Sequence, residues 1–244
     1  MPMPTSLIPV PGLVLPAISA GSPSSKCVAI VLHGLGVSKE VQIPEVQRLK
    51  ASGLHAVAID APHHGSRDDG YLQLMDRVSS KFEKHLMMLS IVLQQAAEVA
   101  ALVSFYRGQR RKVAVIGISM GGFSTFALLK GKILPDLMAP MLASPDFRCP
   151  ERIDGMPESA IELCGPLDAA EIESNICLFM VNAGQDKVVS GSGSEKLVAR
   201  LKAQKNYDPE RVQYLNYPES QHFMRPTDWY DAWDKLTDKL SRLC

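Results

Sequence analysis

Lys112-Val113-Ala114-Val115-Ile116-Gly117-Ile118-Ser119-Met120-Gly121-Gly122-Phe123 decides how the rest of the chain is read. Its first half is a short apolar run with β-branched residues, which suits a buried strand. Its second half passes through Gly-x-Ser-x-Gly into an apolar segment that opens a helix. Glycine at 117 and 121 leaves room for a sharp strand-to-helix turn, where a β-carbon would crowd the neighbouring backbone. Ser119 at the apex would be strained, with its hydroxyl exposed, which is how a nucleophile is presented. The Met120 N–H, at the helix start, would point at the same spot and stabilise an oxyanion. The bare pattern arises by chance in roughly one chain in ten of this length, and a phosphate-cradling loop would look alike. The strand before it, the helix after it and suitable partners downstream give it meaning.

The 244 residues suffice for one sizeable α/β domain spanning 1–244. Hydrophobic content of 46% supports a large core. Lys plus Arg and Asp plus Glu number 26 each, so no net field draws in nucleic acid or an anionic membrane. The five cysteines (Cys27, Cys149, Cys164, Cys177, Cys244) are scattered, without Cys-x-x-Cys, and read as free thiols of a cytoplasmic protein. The apolar first twenty residues carry five prolines and no basic start, so neither a signal peptide nor a membrane span is expected there.

Outward from the central stretch, strand and helix patterns alternate. Leu13–Ser19, holding Pro16, reads as an edge strand. Cys27–Leu32 and Leu54–Ile59 are continuous apolar runs, the mark of strands buried on both faces. A helix is expected from about Glu40 to Ala51, and a long one from about Val78 to Tyr106, apolar nearly all round. Further strands are expected at Leu137–Leu142, Ile176–Val181 and Arg211–Asn216, with a helix from Ser192 or Ser194 to Gln204 and a last one at Asp228–Leu243. Residues 143–175, irregular and proline-rich, read as a small cap insertion. The alternation implies a mostly parallel sheet flanked by helices, whose sites form at the C-terminal ends of strands. His33, Asp60, Ser119, Asp186 and His222 each fall just after an expected strand.

With these residues in place, the chain from about Cys27 onward resembles the α/β-hydrolases. Ser119, Asp186 and His222 occur in that family's order of nucleophile, acid and base. His33-Gly34-Leu35-Gly36 resembles the family's oxyanion loop. Asp60-Ala61-Pro62-His63-His64-Gly65-Ser66-Arg67 resembles a loop of small bacterial esterases in the dienelactone-hydrolase-like and prolyl-oligopeptidase-like branch. Dienelactone hydrolases proper use a cysteine nucleophile, whereas this position is Ser119, which moves the expectation toward a serine carboxylesterase. The resemblance implies a Ser-His-Asp triad, oxyanion donors at the Leu35 and Met120 N–H groups, an ester substrate, and neither cofactor nor metal.

Rival readings exist for several residues. Asp146, after the preceding strand, is an alternative acid to Asp186. His63 and His64 with Asp60, Asp68 and Asp69 read as a hydrogen-bonded loop that shapes a pocket, because the acidic spacing fits no metal loop. His55 and His85 read as structural or surface groups, and Met87-Met88 as core or adaptable acyl pocket. A thioesterase or acyltransferase would use the same triad, and a non-catalytic binding module would keep only the fold.

Overall fold

A computed structural model describes residues 3–10, 12–148, 166, 176–205 and 207–243. Among these residues, eight strands form one sheet: β1 Ser6–Val10, β2 Leu13–Ala20, β3 Cys27–Leu32, β4 His55–Ile59, β5 Lys112–Ile118, β6 Leu137–Met141, β7 Leu178–Ala183 and β8 Val212–Tyr217. The spatial order is β1-β2-β4-β3-β5-β6-β7-β8. β1 and β2 run antiparallel, and every pairing from β4 to β8 is parallel. The central strand β5 is thus buried between β3 and β6, as its apolar run requires.

Among the described residues, six α-helices flank the sheet: α1 Ile43–Ala51, α2 Tyr71–Arg77, α3 Lys81–Gly108, α4 Met120–Ala127, α5 Ser192–Lys202 and α6 Pro226–Ser241. Strand side chains alternate between two cores. Val28, Ile30 and Leu32 of β3 face a core completed by α3, α4 and α5, while Cys27, Ala29 and Val31 face one completed by α1 and α6. The long α3 is apolar enough to cross a membrane by length and composition. Here its Ile91, Val92, Val99, Leu102 and Val103 are buried in the first core, while Leu93 is exposed. On α6, Trp233, Leu236 and Leu240 form the buried stripe expected from their spacing.

Four expectations change. β2 is not the edge, because Ser6–Val10 pairs outside it. Pro16 is tolerated inside the sheet because the β4 ladder begins only at Ala17, so its missing N–H falls at the ladder's end. The helix expected from Glu40 starts as a 3₁₀ turn, Lys39–Gln42, and becomes α-helical at Ile43, with Pro44 in the first turn where its absent N–H costs nothing. Neither serine caps α5: its N-cap is Gly191, without a side-chain bond, and Ser192 is already helical. Cys27 is disulfide-bonded, not a free thiol, with its partner outside the described residues. Chain spacing does not tell which thiols a fold brings together. Cys177 is free and half-buried. Of the expected cap, 149–165 and 167–175 lie outside the described residues.

Candidate active site

The turn after β5 has the geometry its glycines allow. Ser119 lies at φ 54°, ψ −118°, a sparsely populated conformation for a side-chain-bearing residue. A β-carbon on Gly117 would come within 2.0 Å of the Gly121 carbonyl oxygen, and one on Gly121 within 2.5 Å of the Leu32 oxygen. The tight crossing that strains Ser119 therefore needs both glycines.

Two loops bring partners to this serine. Ser119 Oγ lies 3.0 Å from His222 Nε2, and His222 Nδ1 lies 2.7 Å from Asp186 Oδ2. The other Asp186 oxygen accepts the Val188 and Val189 N–H groups at 2.8 and 2.9 Å, which fixes the carboxylate plane. The Asp186 side chain is 1% exposed and that of His222 is 16% exposed. The loops after β7 and β8 hold each other: the Gly184 N–H donates to Tyr217 O, and the Gln185 N–H to Ser220 O. Gly184 permits this approach, since a β-carbon there would sit 2.7 Å from Pro218 Cα. Ser220, fully buried, donates to Asp228 at the start of α6 and accepts the Arg225 N–H.

The loop after β3 passes beside Ser119. An added Gly34 β-carbon would lie 3.9 Å from Ser119 Oγ. The His33 carbonyl accepts the Gly121 N–H at 3.1 Å, tying this loop to the start of α4. Among the described residues, neither Leu35 N–H nor Met120 N–H donates to a protein acceptor. Both residues line the Ser119 cavity.

A buried polar network holds that loop from behind. His64 Nδ1 donates to Pro62 O, which leaves Nε2 to accept the Gly36 N–H at 3.1 Å. His33 Nδ1 donates to Gly34 O, leaving Nε2 to accept the Ala61 N–H at 3.0 Å. Burial lowers the pKa of both imidazoles, that of His33 to about 4. His33 is thus neutral, and its 3.9 Å approach to Asp60 is no ion pair. Asp60 is fully buried and takes Lys39 Nζ, the Lys39 N–H and the Ser66 N–H at 2.8–2.9 Å. Burial alone would raise its pKa, but these bonds and the Lys39 charge bring it below the usual carboxylate value.

Asp146 does not reach His222. It is held by Arg148 in a bidentate pair, though it lines the same cavity. His63 stacks on Tyr71 and bonds Asp69, away from Ser119's partners. His85, expected to be structural or at the surface, lines the cavity and bonds Phe147 O; Met88 lines it too. Gln42 and Glu45 are cavity residues that the sequence reading passed over. The available signal was their spacing: Gln42, at the N-cap of α1, and Glu45 stand four residues before the buried apolar Val46 and Leu49.

The sequence model of the alpha/beta hydrolase family matches residues 29–243. The chain belongs to this family. Solved structures that share this fold include the following three. TT1662 from Thermus thermophilus is 20% identical, with a TM-score of 0.74 over 98% of this chain and 99% of that one. The esterase Pf2001 from Pyrococcus furiosus is 19% identical, with a TM-score of 0.67 over 98% and 92%. A cold-adapted esterase from an Arctic intertidal metagenomic library, solved with bound PEG, is 20% identical, with a TM-score of 0.60 over 98% and 92%. No curated protein sequence matches this α/β-hydrolase. Family and neighbours together support a hydrolase.

Proposed function

We propose that this α/β-hydrolase cleaves carboxylic esters of small or medium acyl groups through an acyl-enzyme on Ser119. The supporting observation is the chain of contacts from Ser119 Oγ to His222 Nε2 and from His222 Nδ1 to Asp186 Oδ2. The esterases among the structural neighbours favour the same substrate class.

In this reading His222 takes the Ser119 proton as the hydroxyl attacks the ester carbonyl, then gives it to the leaving alcohol. Asp186 fixes the imidazole tautomer and stabilises the imidazolium. The Leu35 and Met120 N–H groups receive the developing oxyanion, where loss of one donor costs about 3 kcal/mol. Water attacks the acyl-enzyme by the same route, with His222 again as base. Arginine or lysine is not needed for any of these steps, because the one charge that develops on substrate is met by the two amides.

The test is turnover of p-nitrophenyl esters by wild type and Ser119→Ala, with a fluorophosphonate label located by mass spectrometry. Turnover and labelling at Ser119, both lost in the variant, are expected. A folded wild-type protein that neither turns over nor labels would sink the proposal.

A further inference from the structure

The cavity at Ser119 holds about 1190 Å³, and apolar side chains that stand in water line its mouth. Phe223 is 93% exposed and Val188 69%, and Leu35, Val37 and Val41 are exposed as well. All five line this cavity. Single exposed apolar residues are ordinary, whereas a group of them around one cavity marks a binding surface. Leu35, Val37 and Val41 follow the strand on one side of β5, and Val188 and Phe223 follow strands on the other. Phe223 comes directly after His222, and its ring meets the imidazole edge to face, with 5.9 Å between centroids and 83° between planes. Val188 stands on the Asp186 loop, and its N–H donates to Asp186 Oδ1. Both loops are anchored. Ser220 Oγ accepts the Arg225 N–H and so closes the segment that carries His222 and Phe223, while the Gln185 N–H donates to Ser220 O. A ligand that covers Phe223 and Val188 thus has little backbone left to order.

We propose that this rim is the subsite for the leaving alcohol of the ester, that the alcohol is bulky and apolar, and that Phe223 and Val188 select it. The inference rests on the esterase reading of Ser119 and adds to it a substrate class. The direction follows from the proton. His222 Nε2, 3.0 Å from Ser119 Oγ, must hand that proton to the alcohol oxygen, so this oxygen sits against the imidazole. The carbon it carries then leaves past the ring that Phe223 abuts. With the carbonyl oxygen held by the Leu35 and Met120 N–H groups, the ester cannot be turned end for end without taking the leaving oxygen off His222. A larger apolar alcohol removes more of the rim from water and is favoured for that reason.

The experiment measures kcat/KM for methyl, butyl, cyclohexylmethyl and phenylethyl acetates, whose alcohols are of similar acidity, and for methyl esters from acetate to octanoate. This constant reports acylation, the half-reaction in which the alcohol is still bound. Wild type is expected to favour phenylethyl over methyl acetate by about tenfold. Phe223→Ala should bring that ratio most of the way to one, and Val188→Ser should lower it by about threefold. Both variants should keep the octanoate-to-acetate ratio of the methyl esters. A Phe223→Ala loss shared equally by every ester is what a mere prop for His222 gives, and it would overturn the subsite. Equal use of the two acetates by wild type, or a variant that moves the acyl ratio in place of the alcohol ratio, would do the same. Light scattering checks for a second copy of the chain on the rim: a dimer that Phe223→Ala dissolves, with the alcohol ratio unmoved, also refutes the proposal. Each of these results leaves the esterase reading standing. Calorimetric binding of the same acetates to Ser119→Ala covers the opposite case. Tighter binding of phenylethyl than of methyl acetate, weakened by Phe223→Ala and without wild-type turnover, would sink the esterase and keep the apolar subsite, whereas equal binding would remove the subsite.

Discussion

Asp186 divides its oxygens between two tasks, one held by the Val188 and Val189 amides and the other facing His222. Asp186→Asn preserves the shape but offers His222 an amide donor where it needs an acceptor, so the imidazole is held in the wrong tautomer. Steady-state kinetics should show a kcat loss on the order of 10⁴ with little change in melting temperature. Asp146→Asn should cost far less, because Asp146 is engaged by Arg148. At the turn itself, Gly117→Ala forces a methyl against the Gly121 carbonyl and should destabilise the fold by about 3 kcal/mol or more in urea unfolding. Gly108→Ala, at the open end of α3 with nothing within 4 Å, should instead stabilise by roughly 0.5–1 kcal/mol. The Ser119 turn was legible because its requirement is local: two glycines four residues apart in a strand-to-helix context. Gln42 was not, because a glutamine looks the same whether solvated or walled into a cavity.

The loop after β3 depends on elements distant in sequence, and that dependence carries a pH signature. His33 and His64 each use Nε2 as an acceptor of a backbone N–H, His64 for the loop itself and His33 for Ala61. Protonation would set a second donor against each amide. Their pKa values are lowered on folding, so the neutral form is favoured in the native state. The resulting stability is fully present above about pH 6.5 and is lost as pH falls through the folded values, near 4 for His33. For His33 alone that is roughly 3 kcal/mol. Asp60, lowered as well, adds stability above its ordinary value of 3.8 that is lost only in stronger acid. Urea midpoints measured from pH 8 to 4 should therefore fall before the carboxylates titrate; a flat profile over that range would refute the neutral-histidine assignment. Lys39→Met leaves the buried Asp60 carboxylate without its ammonium and should cost about 3 kcal/mol at neutral pH. The histidine pair in Pro62-His63-His64 reads from sequence as a shaping loop, and the fold gives His64 that part. Its partner Gly36 is 28 residues away, beyond the reach of any local pattern.

Across the whole molecule, the parallel strands explain why so much could be read from order alone. Each βα connection emerges at the same sheet edge, so residues that follow strands converge whatever their separation: Ser119 and His222 meet across 103 positions. Features set by side-by-side packing did not read through, among them the hairpin that places β1 outside β2 and the partnered state of Cys27. Cavity size is also such a feature, since it depends on how far α1, α3 and α6 stand back from the edge. At about 1190 Å³ the space exceeds what an acetyl or butyryl group fills. Leu35, Ile118, Met120, Phe123 and Leu142 around the serine give an added methylene apolar surface to cover. Each buried methylene contributes about 0.8 kcal/mol, or roughly fourfold in kcat/KM while space remains. The p-nitrophenyl series is therefore expected to climb from acetate through butyrate to octanoate, where a short pocket would peak early and fall. Met88 on α3 provides a finer check, because a flexible thioether on the wall adapts to chains of several lengths. Met88→Phe should shift the optimum to shorter acyl groups with the acetate rate nearly kept; an optimum that stays put would place the acyl chain against another wall.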